Sequence, residues 1–156
     1  MTHLVEQDHN SDDDKDINYG AAMKGIGFFL RICGAVILVV GALHLVLGLN
    51  ADVLLGARLP AATIADPALD SQNRFYGVTF TLYGVLCFLG ATDVVRYAPV
   101  LRCMIWVFFA AGCARLVSIA IYGMPPQPVI ALLVVELIGP PLLARWLDKV
   151  VRKREA

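Results

Sequence analysis

Four stretches of this chain, residues 26–49, 75–95, 100–122 and 129–150, are each long and apolar enough to cross a bilayer, and they leave room for little else. Crossing the hydrocarbon core takes about 20 largely apolar residues in a helix. Lipid offers no partner to a free peptide group, so the backbone must satisfy itself within the span. The segments left over from the 156 residues are too short for a separate soluble domain. Hydrophobic residues make up 58% and charged residues 17% of the chain, with a mean hydropathy of +0.69. Ordinary soluble domains have about 45–50% and about 25%. The expected fold is therefore an all-α integral membrane protein, a four-transmembrane-helix bundle formed by residues 25–150.

Residues 1–24 carry Glu6, Asp8, Asp12, Asp13, Asp14 and Asp16 against Lys15 and Lys24. A leader so acidic and so poor in aromatic residues is expected to be disordered. The first apolar stretch follows an acidic, not a basic, flank and is longer than the core of a signal peptide, so it is read as a retained helix. Orientation follows from the basic residues on short flanks and loops. The leader edge (Lys15, Lys24, Arg31), the loop after the second stretch (Arg96, Arg102) and the C-terminal end (Arg145, Lys149, Arg152, Lys153, Arg154) hold ten of the thirteen. Both termini, including the basic tail at 151–156, are expected on the cytoplasmic side of a cytoplasmic (inner) membrane. The loop at 50–73 and the "GMPPQP" turn then lie outside. Within that loop, Asp66 followed by Pro67 reads as a helix start, aspartate capping and proline at the first helical position.

Gly27, Gly34, Gly41 and Gly48 recur every seven residues, and Gly77 and Gly84 repeat the interval. Seven residues is nearly two helical turns, so these glycines form a stripe on each helix. Small residues let membrane helices approach closely where lipid supplies no hydrophobic drive between them. The expectation is a packing seam between the first two spans.

An ionisable side chain inside a span is costly and faces protein or a cavity. At about 1.5 Å of rise per residue, His44, Arg115 and Glu136 all fall in the outer half of their spans. Arg74 opens the second span at the outer boundary, one turn after Asp70 and next to Asn73 and Tyr76. A polar cluster of His44, Asp70, Asn73, Arg74, Tyr76, Arg115 and Glu136 is expected there, with Arg115 and Glu136 as its ionic core. A guanidinium within reach keeps a buried carboxylate ionised. Pro140 and Pro141 cannot donate to the carbonyls of Glu136 and Leu137, so a break in the helical ladder is expected at the glutamate. Whether the cluster locks helices together or holds a ligand is left open by the residues alone.

Cys33, Cys87, Cys103 and Cys113 all lie in apolar stretches without metal-ligand or paired spacing, and read as small packing residues. There is no nucleophile motif, phosphate loop or metal motif. No cofactor, no metal and no nucleic-acid partner are expected, and no catalytic residue is assigned.

The stretches "NRFYGVTFTLYG", "ARLVSIAIYGMPPQP" and "ELIGPPLLARW" resemble the bacterial membrane proteins grouped as domain of unknown function 4345, over about residues 28–147. The resemblance implies Asn73, Arg74, Tyr76, Gly77, Arg115, Gly123, Pro125 and Glu136 as family-typical positions, and implies no reaction. Four-helix proteins of the DoxX type look similar in architecture. The functional expectation is a binding protein. Its polar pocket holds a small amphipathic molecule or lipid head group, in support of transport or envelope maintenance. Two alternatives remain: a non-catalytic subunit assembled with another membrane protein or with further copies of itself, and a DoxX-like redox accessory or membrane enzyme.

Overall fold

The computed structural model describes residues 2–155, and side chains over residues 20–153. Six helices follow one another: α1 (Thr2–Leu47), α2 (Leu49–Leu54), α3 (Ala61–Ile64), α4 (Pro67–Gly90), α5 (Ala98–Tyr122) and α6 (Gln127–Glu155). Among the described residues there is no strand. The acidic leader is helical from Thr2 as the start of α1, while the side chains of its first 19 residues lie outside those described.

Local chemistry sets most boundaries. α1 ends where Gly48 adopts φ 58°, ψ −135°, a conformation that L side chains rarely adopt. The Asp66 carboxylate accepts the amides of Ala68 (2.8 Å) and Leu69 (3.2 Å), and Pro67 follows as the first helical residue. That capped turn opens the long helix itself, so α4 begins eight residues before the expected start at 75. It also ends earlier than 95. Thr92 turns its hydroxyl back to the Leu89 carbonyl, and Asp93 accepts the Arg96 amide at 3.0 Å, so residues 91–97 form a compact turn. Gly123, at φ 89°, closes α5.

α6 is continuous through Pro140 and Pro141. The prolines remove two amide donors from the ladder but do not interrupt the helix, which corrects the expected break. Pro140 is buried in the packed face of α6.

Buried positions recur at three- and four-residue steps on every long helix, the pattern of a knobs-into-holes seam. On α1 they include Ile26, Gly27, Leu30, Gly34, Gly41 and His44. On α4 they include Asn73, Gly77, Gly84 and Cys87, and on α5 Ala98, Leu101, Ile105 and Gly112. On α6 they are Leu133, Glu136, Pro140, Ala144 and Leu147. α1 packs against α4, and α5 against α6. All four helices share one apolar core at a single end, formed by Ile26, Leu30, Cys87, Ala91, Val94, Ala98, Leu101, Ala144, Leu147 and Val150 among others. Tyr83 reinforces the join by donating its hydroxyl to the Met104 carbonyl. We call this the core end, and the opposite end, with residues 48–66 and the 123–126 turn, the loop end.

The glycines of α1 and α4 differ in what they touch. A β-carbon at Gly41 would stand 3.0 Å from the Gly77 carbonyl oxygen, and one at Gly34 would stand 3.0 Å from that of Gly84. The two backbones are in direct contact there. Gly27 has ordinary space, with its nearest neighbour 3.5 Å away. Gly48 lies at the turn rather than in the seam: a β-carbon there would meet the Asp70 carboxylate at 1.7 Å.

α1 over Gly20–Leu47, α5 over Ala98–Tyr122 and α6 over Gln127–Lys153 are long and apolar enough to cross a membrane. Their outward faces are apolar too, with Phe28, Val46, Val117, Ile121 and Ile138 all exposed. Water does not tolerate apolar surface on this scale; lipid does. α4 is as long, but Asp70, Gln72, Asn73 and Arg74 in its first two turns dilute its hydropathy. Of the cysteines, all free, Cys87 is buried and Cys33 partly so, whereas Cys103 and Cys113 are exposed.

Candidate functional site: two polar groups at the loop end

His44, Asn73 and Glu136 are the buried polar side chains among the described residues, and each occupies a seam position that its neighbours fill with apolar or small residues. All three lie toward the loop end. They do not form one cluster. The α1–α4 pair carries one polar group and the α5–α6 pair another, and no hydrogen bond or ion pair among the described residues joins them.

In the first group, α2 folds back over the end of the seam and brings Asp52 between His44 and Asn73. The Asn73 side-chain amide donates to Oδ2 of Asp52, and Nε2 of His44 stands 3.5 Å from Oδ1. The His44 Nδ1 meets the Val40 carbonyl of its own helix at 2.8 Å. Oδ1 of Asn73 is buried without a hydrogen-bond partner. Asp52 was not anticipated from sequence. The available signal was an acid within one helical turn of the Gly48 chain reversal, in an otherwise apolar "ADVLL".

Arg74 and Asp70 sit beside this group but serve the chain ends. Nη1 of Arg74 donates to the carbonyls of Leu45 (2.8 Å) and Val46 (3.0 Å), which the end of α1 leaves free, and Nε donates to Asp70 at 2.8 Å. The other Asp70 oxygen accepts the Leu49 amide at the start of α2 (3.3 Å). Arg74 is thus engaged as a clamp on the α1–α2 junction. Tyr76 faces outward against Phe75, away from the seam.

The Arg74 hydrogen bond, helped by the Leu49 amide, holds the Asp70 carboxyl below the usual carboxylate range. A carboxylate with a depressed value in the fold contributes fully above its unfolded value, about pH 4, and the contribution is lost as pH falls through the depressed one. The expected result is an Asp70 carboxyl ¹³C titration displaced to lower pH, and its return upward in Arg74→Gln. A titration unaffected by that substitution would count against the clamp.

In the second group, Nε of Arg115 donates to Oε2 of Glu136 at 2.7 Å. The glutamate side chain is 3% exposed and the arginine 38%. The single glycine inside α5 makes room for the carboxylate's stem: a β-carbon at Gly112 would stand 3.0 Å from that of Glu136. Among the described residues Arg115 makes no other hydrogen bond, which leaves its Nη groups free. Arg115 borders an open pocket of about 70 Å³ lined also by Ser118, Ile119, Gly123, Pro125, Val129 and Leu133. The pocket thus has an apolar wall, one hydroxyl and a cation whose position the buried carboxylate fixes.

The profile of the family described as "Domain of unknown function (DUF4345)" matches residues 26–147, which takes in both polar groups and all four long helices. The chain belongs to that family. No curated protein and no solved structure matches it. The matched DUF4345 region starts beyond the acidic leader, at the first residue of the shared core.

Proposed function

We propose that this is a four-span protein of the bacterial inner membrane, both termini cytoplasmic, which binds a small amphipathic molecule through an anionic head group at Arg115, in support of transport or envelope maintenance. Four spans are favoured by the course of α4. It runs back along α1 through the Gly34–Gly84 and Gly41–Gly77 approaches and returns the chain to the core end, where α5 begins. The orientation is supported by the basic residues, since Arg31, Arg102 and Arg152 all gather at the core end, where Arg102 pairs with Asp148 at 2.9 Å.

The observation that carries the binding reading is the Arg115 guanidinium. One edge is held by a buried carboxylate, and the rest is presented to a pocket with an apolar wall. A guanidinium suits planar, multi-oxygen anions such as phosphate or carboxylate. The size of the pocket limits it to a head group, and the attached chain would lie along the apolar outer face of α5 or α6.

Native mass spectrometry with added phosphatidylglycerol, against phosphatidylcholine as the neutral comparison, tests the reading. The double variant Arg115→Met, Glu136→Gln removes the cation without leaving a buried charge unpaired. It should keep the fold and bind phosphatidylglycerol about tenfold or more weakly, given about 1.5–3 kcal/mol for a hydrogen bond to a charged group. Equal retention of both lipids, or a stoichiometric protein partner in place of any lipid, would replace this reading with the subunit one.

A further inference from the structure

We propose that His44, Asp52 and Asn73 form a proton-binding site, and that the bound proton latches α2 onto the α1–α4 seam. The inference rests on hydrogen-bond valence and is independent of the Arg115 pocket. A backbone carbonyl only accepts, so the 2.8 Å contact between Nδ1 of His44 and the Val40 oxygen requires the hydrogen on Nδ1. In a neutral ring Nε2 then carries a lone pair. It faces Oδ1 of Asp52 at 3.5 Å, and a carboxylate oxygen is likewise an acceptor. Two acceptors thus lie next to one another at a site where His44 is 6% exposed. The arrangement becomes favourable when one additional proton lies between them, carried on Nε2 or on Oδ1.

Asn73 narrows the choice of place. Its amide nitrogen donates to Oδ2, which fixes the orientation of the side chain and leaves Oδ1 of Asp52 as the oxygen turned to the ring. The Asn73 carbonyl oxygen is sealed in with no donor, so the group has a surplus of acceptors and a deficit of protons. Asp52 is the partly exposed member, with 37% of its side chain in contact with solvent, and offers the route by which a proton reaches the buried ring.

The other groups packed on His44 do not supply that proton. From α4 the Phe80 ring lies tilted at 5.7 Å. The charged α4 side chains at this end, Asp70 and Arg74, are engaged with each other and with the α1–α2 junction. α1 places no other ionisable residue in its last turn. With the proton bound, an imidazolium meets a carboxylate and α2 is held by His44 and Asn73 together. Without it, a lone pair meets a carboxylate, and the Asn73 bond alone holds Asp52. The latch is therefore closed while the proton is bound and loosens as rising pH removes it.

The test uses the full chain in lipid nanodiscs, with His3 and His9 replaced by Gln so that one histidine ring signal remains. ¹⁵N spectra report protonation of the ring, and hydrogen-exchange protection factors report docking of the amides at 51–55. Both are followed as the pH is raised. The expected result is a doubly protonated ring with protected α2 amides at low pH, and a several-fold loss of α2 protection in step with loss of the Nε2 proton. In Asp52→Asn, whose size is unchanged, α2 protection should no longer follow pH, while protection in the core end of α4 stays as in the parent. Two results overturn the proposal: α2 protection constant across pH in the parent, or the same pH response in Asp52→Asn. Neither variant touches Arg115, so phosphatidylglycerol retention separates failure here from failure of the binding reading.

Discussion

Gly77→Ala should destabilise the protein by about 1–3 kcal/mol, the usual range for forcing an extra methyl into a packed core, and Gly77→Leu should prevent α1 and α4 from pairing. The added carbon would stand 2.6 Å from the Leu45 amide nitrogen, 2.9 Å from the Gly41 carbonyl oxygen and 3.1 Å from the His44 carbonyl carbon. All three are backbone atoms of α1, so no rotamer change relieves the clash and the helices must move apart. Separation would pull His44 and Asn73 out of their buried positions and loosen the attachment of α2. Gly27→Ala is the comparison, because its β-carbon would meet nothing closer than 3.5 Å. With the clash absent, the helix propensity of alanine over glycine dominates, a gain of about 0.5–1 kcal/mol. Thermal unfolding of the two variants in the same detergent checks the pair. A Gly77→Ala protein as stable as the parent would mean that the close approach does not hold this seam together.

The contrast between those glycines shows what the sequence could and could not reveal. A seven-residue repeat identifies a face, and the stripe of α1 does point at α4. The repeat carries no depth, however. Gly27, Gly41 and Gly48 look equivalent in the sequence, yet one has room, one touches backbone and one turns the chain. The residues that separate them, Ala91, Thr81 and Asp70, come from distant positions. The start of α4 was legible at Asp66, where a capping side chain makes it, and its end at Gly90 was less so, because the turn that follows is made by Thr92 and Asp93 within a run that reads as apolar helix. Proline was misleading in α6, where the helix runs on through Pro140 and Pro141. The polar residues were legible one by one through the cost of burying them. Their partition between two helix pairs depends on which helix packs on which, and depth along a span says nothing about that. Asp52 went unseen because its importance arises only when Gly48 folds α2 back over the seam.

Arg115→Met should cost about 3–5 kcal/mol, the range for leaving one partner of a buried ion pair uncompensated, and the lower part of it, because the arginine side is partly exposed. Its effect comes through Glu136. That carboxylate sits on the packed face of α6 between Leu133 and Pro140, with its β-carbon against Gly112, and cannot turn to solvent without unpacking the helix. Glu136→Gln should cost less, since its amide oxygen still accepts from Nε of Arg115 at the distance now held by Oε2. In the double variant no charge is left in the seam. It should recover part of the Arg115→Met loss, giving a coupling energy of about 1–3 kcal/mol in a cycle of unfolding measurements. Simple addition of the two losses would show that the residues do not depend on one another. A large coupling has a further consequence for the pocket. The carboxylate then anchors the guanidinium as firmly as the guanidinium neutralises the carboxylate, and the free Nη groups are held at the pocket before any anion arrives. Preorganisation of that kind reduces the ordering cost of binding. Glu136→Gln should accordingly weaken phosphatidylglycerol binding even though the cation is still present.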